Sequence, residues 1–113
     1  MLAQLKHGVP QMVDHTPAAD VALGDVVVVG DTLRLAHRAI AATTKGSLAA
    51  SGGIYQMPKA AGADSAIADG KKVYWDAVAK VITATAEGHK VLGYTVGASL
   101  DADITQLVHH LPV

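Results

Sequence analysis

The sequence predicts an all-β fold, a small single-domain barrel or sandwich with little helix, and three observations predict it. Glycine-containing turn signals recur at short intervals, at Gly24-Asp25, Gly30-Asp31, Lys45-Gly46, Gly52-Gly53, Gly70-Lys71 and Glu87-Gly88. Between them lie short stretches rich in valine, isoleucine and tyrosine, residue types that suit a pleated, half-buried surface. Elsewhere apolar and polar residues alternate at period two, which sends one set to a core and the other to water. The chain of 113 residues has the size of one domain with one core.

Taken in order, residues 1–20 carry Pro10, Pro17 and the polar run Asp14-His15-Thr16. Proline fixes φ and removes a backbone donor, so an extended N-terminal arm with one edge strand is expected. The arm reaches toward a neighbour and orders on docking. A β domain over residues 21–113 follows. Val26-Val27-Val28-Val29 reads as a strand buried on both faces. Gly30-Asp31 makes a tight hairpin turn. Beyond it, Leu33, Leu35 and His37 point inward while Arg34, Ala36 and Arg38 point to water. Further short strands center on Ile40, Leu48, Ile54 to Met57, Val73 to Trp75, Val81 to Thr85 and Val91 to Val96. The last stretch, Ile104 to Leu111, reads as covered on both sides. Ala60 to Ala68 is rich in alanine and is expected to hold one helical turn.

Asp76 to Glu87 is ambiguous. Val78, Val81, Ile82 and Thr85 recur at helical spacing, with Asp76 placed to cap the start and Gly88 the end. Its threonines and β-branched residues favour a strand instead. Ile40 through Gly46 (IAATTKG) also echoes Ile82 through Gly88 (ITATAEG). Two similar hairpins would produce that echo, as would chance in a chain rich in alanine and threonine.

Composition bounds the function. Half of the residues are apolar, but phenylalanine is absent and only Tyr55, Tyr74, Trp75 and Tyr94 are aromatic. Small side chains bury little area, and burial stabilises by roughly 25 cal/mol per Å². A modestly stable monomer that gains from self-association or docking is expected. The net charge of −1 leaves no basic excess for phosphate contacts. Cysteine is absent, which removes disulfides and thiolate metal sites. Met1 to Pro10 does not read as a secretory signal. No apolar run approaches the roughly 20 residues of a membrane helix.

Catalytic and metal patterns do not form. The step Asp69-Gly70-Lys71-Lys72 falls short of a phosphate-binding loop, because Ser65 stands at the first glycine position and Lys72 at the hydroxyl position. His7, His15, His37, His89, His109 and His110 include no pair at helical ligand spacing, and His109 and His110 face opposite sides of a strand. Asp101 and Asp103 lack the rest of a calcium loop and read as a solvated turn. Ser47, Ser51, Ser65 and Ser99 lie in no nucleophile motif. No enzyme activity, cofactor or metal is expected. The candidate binding residues are Tyr55, Met57, Tyr74, Trp75 and Tyr94, since tyrosine and tryptophan are enriched at interface hot spots. For Tyr55 and Met57 core packing is the default, and Trp75 reads as a core or subunit-contact anchor rather than a ligand platform.

Several blocks occur in a familiar order. They are Ala22-Leu23-Gly24-Asp25-Val26-Val27-Val28, Lys45-Gly46-Ser47-Leu48-Ala49, Gly53-Ile54-Tyr55 and Met57-Pro58-Lys59-Ala60. Ile67-Ala68-Asp69-Gly70-Lys71-Lys72-Val73-Tyr74-Trp75-Asp76 and Leu92-Gly93-Tyr94-Thr95-Val96 follow. From about His15 to Leu111 the chain resembles the DUF2190 family of tailed-phage capsid cement or decoration proteins. The resemblance implies a β-rich fold, and so strand and turn for Asp76 to Glu87. It implies a virion protein on the outer surface of the capsid, made in the host cytoplasm. There it binds the major capsid protein and reinforces contacts between capsid subunits. A homo-oligomer is expected, a trimer first and a dimer second, with neither nucleic acid nor membrane as partner. The chain departs from the family pattern at Ala50-Ser51 and in its end, His109-His110-Leu111-Pro112-Val113. The competing function is a nucleic-acid-binding recombination accessory protein.

Overall fold

The computed structural model describes residues 2–112. Among the described residues, ten strands form two antiparallel sheets packed as a sandwich. The first six are β1 (Gln4–His7), β2 (Gln11–His15), β3 (Val26–Val29), β4 (Thr32–Ala36), β5 (Gly46–Ser51) and β6 (Ile54–Pro58). The rest are β7 (Lys72–Asp76), β8 (Val81–Thr83), β9 (Lys90–Thr95) and β10 (Thr105–His110). The larger sheet has the order β1-β6-β10-β9-β7-β8 and the smaller one β2-β5-β4-β3. The larger sheet curls until Lys59, just past β6, bridges Ile82 of β8.

Register explains the core. In the larger sheet Val108 lies opposite Tyr55, Gln106 opposite Met57 and Trp75 opposite Ile82. Directly opposed residues share a face, and all six of these are buried. Leu33, Leu35 and Ala49 of the smaller sheet meet that face. The other face of the smaller sheet holds a second cluster of Val21, Ala36, Ile40 and Leu48.

That second cluster corrects the alternation expected in β4. Leu33 and Leu35 point into the main core, but Ala36 is buried too. The loop carrying Val21, which bridges Ile40, covers it. The valine run of β3 is not buried on both faces. It is the edge of its sheet, and Val28 is 48% exposed. β10 is covered on one face only: Gln106, Val108 and His110 are buried while Thr105 and His109 are exposed.

The N-terminal segment does not project. It supplies one edge strand to each sheet, β1 against β6 and β2 against β5. Gly8, with φ of 83°, turns between them. No helix forms among the described residues, so the helical turn expected in Ala60 to Ala68 is a β-turn at Gly62 to Ser65. Asp76 to Glu87 is strand and turn. Asp76 does accept hydrogen bonds from the amides of Val78 and Ala79, both 3.0 Å, as a helix cap would. The Ala79 amide chiefly holds its carboxyl below the ordinary range. Lys80 then takes φ of 57° and the chain turns back as β8 rather than continuing into a helix.

Two polar contacts tie the sheets together. Nε2 of His110, in β10, donates to the carbonyl oxygen of Leu33, in β4, at 2.9 Å. The Tyr55 hydroxyl lies 2.6 Å from Nε2 of His37, just past β4. Tyr55 sits between the two imidazoles, edge-on to each, with centroids 5.6 and 5.9 Å apart. Nδ1 of His110 is buried without a partner. Burial pushes the pKa of both histidines down and that of the Tyr55 phenol up to about 12. All three groups are therefore neutral at pH 7.

Glycine fixes one close approach. A Cβ at Gly93 would lie 1.9 Å from the backbone oxygen of His109, so β9 and β10 meet at a distance that only glycine permits.

Two outcomes follow. Gly93→Ala forces these strands apart and lowers stability by about 3 kcal/mol in urea unfolding. Because the folded-state pKa of His110 and His37 lies below 6.5, the unfolded chain takes up protons first as pH falls. Stability is thus full above about pH 6.5 and declines below it. His110→Gln, which keeps a donor for Leu33 but cannot ionise, flattens that decline in urea midpoints measured across the range.

Candidate docking surface

The five residues expected at an interface divide. Tyr55, Met57 and Trp75 are 1%, 0% and 4% exposed and belong to the main core. They have no surface to present, which corrects their assignment as contact residues. Their strands alternate, and the inward face took the large side chains. Tyr74 and Tyr94 are half-buried on the outer face of the larger sheet. There Tyr94 pairs with Lys72 and His109, and Tyr74 with Thr83.

At one end of the larger sheet, β6 runs into the loop 59–71 and β9 into the loop 96–104. Both loops are organised around Lys59, whose side chain is buried. Its ammonium donates to the carbonyl oxygens of Ala60 (3.1 Å), Leu100 (3.0 Å) and Asp103 (3.1 Å), and to Oγ of Ser65 (3.3 Å). Its backbone amide donates to Ile104 at 2.9 Å. No carboxylate among the described residues forms an ion pair with it; the ion pair they contain joins Lys45 to Asp14.

Lys59 lies here because β6 alternates Tyr55, Met57 and Lys59 on the inward face, and the register carries it past the strand end. The end of the core is then closed by carbonyls rather than by apolar side chains. An ammonium with three donors and no acceptor suits that ring of oxygens.

The aspartates of this end do the matching work for backbone donors. Asp103 Oδ2 accepts the amide of Leu100 at 2.8 Å, and Asp101 Oδ1 accepts that of Ala66 at 2.8 Å. Asp69 Oδ1 accepts the amide of Gly97 at 2.7 Å. From below, the side-chain Nε2 of Gln106 donates to the carbonyl oxygens of Gly97 (2.9 Å) and Leu107 (2.9 Å). Asp101 and Asp103 thus form the turn read from sequence, locked by hydrogen bonds. The amide of Asp103 closes it on Leu100 at 3.1 Å.

This braced turn presents two aliphatic side chains to solvent, Leu100 at 71% and Ile104 at 69% exposure. Neither was singled out by sequence pattern. The available signal was the segment Ser99-Leu100-Asp101-Ala102-Asp103-Ile104, in which two large aliphatics bracket an acidic turn.

Concave features are shallow. One groove, about 400 Å³, is lined by Met12, Arg38, Ile40 and Lys45 among others. Another, about 320 Å³, lies between the β3-β4 hairpin and the β7-β8 turn, over Leu33 and Trp75. Among the described residues no three histidine or carboxylate groups cluster as a metal site would need.

Lys59→Met keeps the stem and removes the donors, leaving several buried oxygens unpaired. Stability falls by about 2–3 kcal/mol, and hydrogen exchange accelerates first at the Leu100, Asp103 and Gly97 amides.

A search of protein-family models matches the phage cement protein family over residues 8–110. That span takes in strands β2 to β10 and both loops that Lys59 holds. No curated protein and no solved structure matches. The chain belongs to the phage cement protein family.

Proposed function

We propose that this protein decorates the outer surface of a phage head. It docks on the major capsid protein after shell assembly and reinforces contacts between neighbouring subunits. The observation that carries this reading is the family match across nearly the whole β body. The physical character of the surface supports it. Aliphatic side chains stand exposed on short, hydrogen-bonded turns, and tyrosines sit half-buried on an open sheet face. Cement action needs binding energy at a repeating surface and no turnover, and such features provide it.

The protein is made in the host cytoplasm and acts as a homo-oligomer, a trimer at local three-fold axes before a dimer at two-fold axes. One self-complementary or cyclic patch per subunit matches a repeating lattice. Tyr74 and Tyr94 are proposed contacts of that assembly. Nucleic acid is not the partner, since a net charge of −1 supplies no cationic surplus.

Cosedimentation with purified capsid shells tests the reading. Saturable binding at a fixed ratio to the major capsid protein, with a raised shell melting temperature, is expected. Absence of binding to shells, together with salt-sensitive retention on DNA, would replace it with the recombination accessory function.

A further inference from the structure

We propose that the Leu100–Ile104 turn is the contact that seats this protein on the shell. Its seat is an apolar depression on the capsid surface with a basic rim. The inference rests on the capsid reading above and names the surface that reading leaves open.

Three observations converge on the turn. First, Leu100 and Ile104 stand at its two ends, both more than two-thirds exposed. Other strongly exposed aliphatics stand singly at turn tips, Val9 between β1 and β2 and Val78 between β7 and β8. Second, the turn is braced beyond what a solvated loop requires. The ammonium of Lys59 holds its Leu100 and Asp103 carbonyls, and the Lys59 amide holds Ile104. Asp103 caps Leu100, and Asp101 ties the turn to the neighbouring loop. A surface ordered before contact loses little conformational entropy on binding. Third, the charge is one-sided. Segment 96–104 contains Asp101 and Asp103 and no lysine or arginine, and both aspartates are exposed. Lysine or arginine on the partner complements them, and an apolar center receives the two aliphatics.

Lys59 is then a positioning residue. It touches no partner, and it sets the direction in which Leu100 and Ile104 point.

The test is cosedimentation with empty capsid shells, using full-length variants whose circular dichroism and urea midpoint are checked first. Leu100→Ser/Ile104→Ser weakens shell binding at least tenfold, the scale of a central hot spot (~10-fold or more). Val78→Ser, at a still more exposed aliphatic elsewhere, leaves binding unchanged. Asp101→Asn/Asp103→Asn keeps oxygen acceptors for the turn but lowers the salt dependence of binding. Lys59→Met, in conditions where it is folded, weakens binding although the contact side chains are intact. If the parent protein binds shells and the Leu100/Ile104 variant binds equally, the inference is wrong while the capsid reading stands. If the parent protein does not bind shells, the capsid reading itself fails. If the double variant instead changes only the oligomeric state in sedimentation velocity, the turn is a contact between copies, which also overturns the proposal.

Discussion

The burial of the Lys59 ammonium is the constraint on which the loop end of this molecule depends. An isolated charge in a dry environment is penalised by several kcal/mol. Here the compensation comes from four neutral oxygens rather than a carboxylate. The three N–H groups are shared among these oxygens, and hydrogen bonds from a charged donor contribute roughly 1.5–3 kcal/mol each, so losing the oxygens of either loop leaves the charge less compensated. The loops 59–71 and 96–104 must therefore both be in place for Lys59 to be buried at all. The same residue bridges Ile82, which brings the far edge of the larger sheet back toward β6. The approach of that edge and the hydrogen bonding of the loops thus meet at one residue.

The opposite requirement governs the junction of the two sheets. There the polar groups remain neutral. Tyr55 lies between His37 and His110, and a cross-sheet hydrogen bond runs from His110 to Leu33. These contacts select how the sheets meet in a core otherwise built from small aliphatics. With no phenylalanine in the chain, Tyr55 and Trp75 are the largest buried groups, and each fills the core before it can serve a surface. The aliphatic side chains of the Leu100–Ile104 turn are left at the surface instead.

Much of this fold is legible in the residues. The glycine turns at Gly30, Gly52-Gly53 and Gly70 fall where strands end. The β4 leucines face inward, and Tyr74 and Trp75 take opposite faces. Local periodicity misleads where a strand is short and capped: Asp76 makes a cap, yet the chain turns back after one turn. Pattern also does not show which faces are covered. Ala36 is buried only because a distant loop lies over it, and Val28 is exposed only because β3 is an edge. The Leu100–Ile104 turn was the least legible part. Its rigidity comes from contacts such as Lys59 to Leu100, 41 positions apart, and its exposure from the absence of any packed neighbour. The tyrosines and Trp75 lie in the larger sheet, while Leu100 and Ile104 lie beyond its strands.

A cryo-electron microscopy reconstruction of shells saturated with the protein tests the central claim most directly. It asks whether the end braced by Lys59 is the end that meets the capsid. Leu100 and Ile104 are expected to be buried against major capsid subunits, with basic side chains beside Asp101 and Asp103. A reconstruction with the turn facing solvent, and another surface seated on the shell, would contradict it.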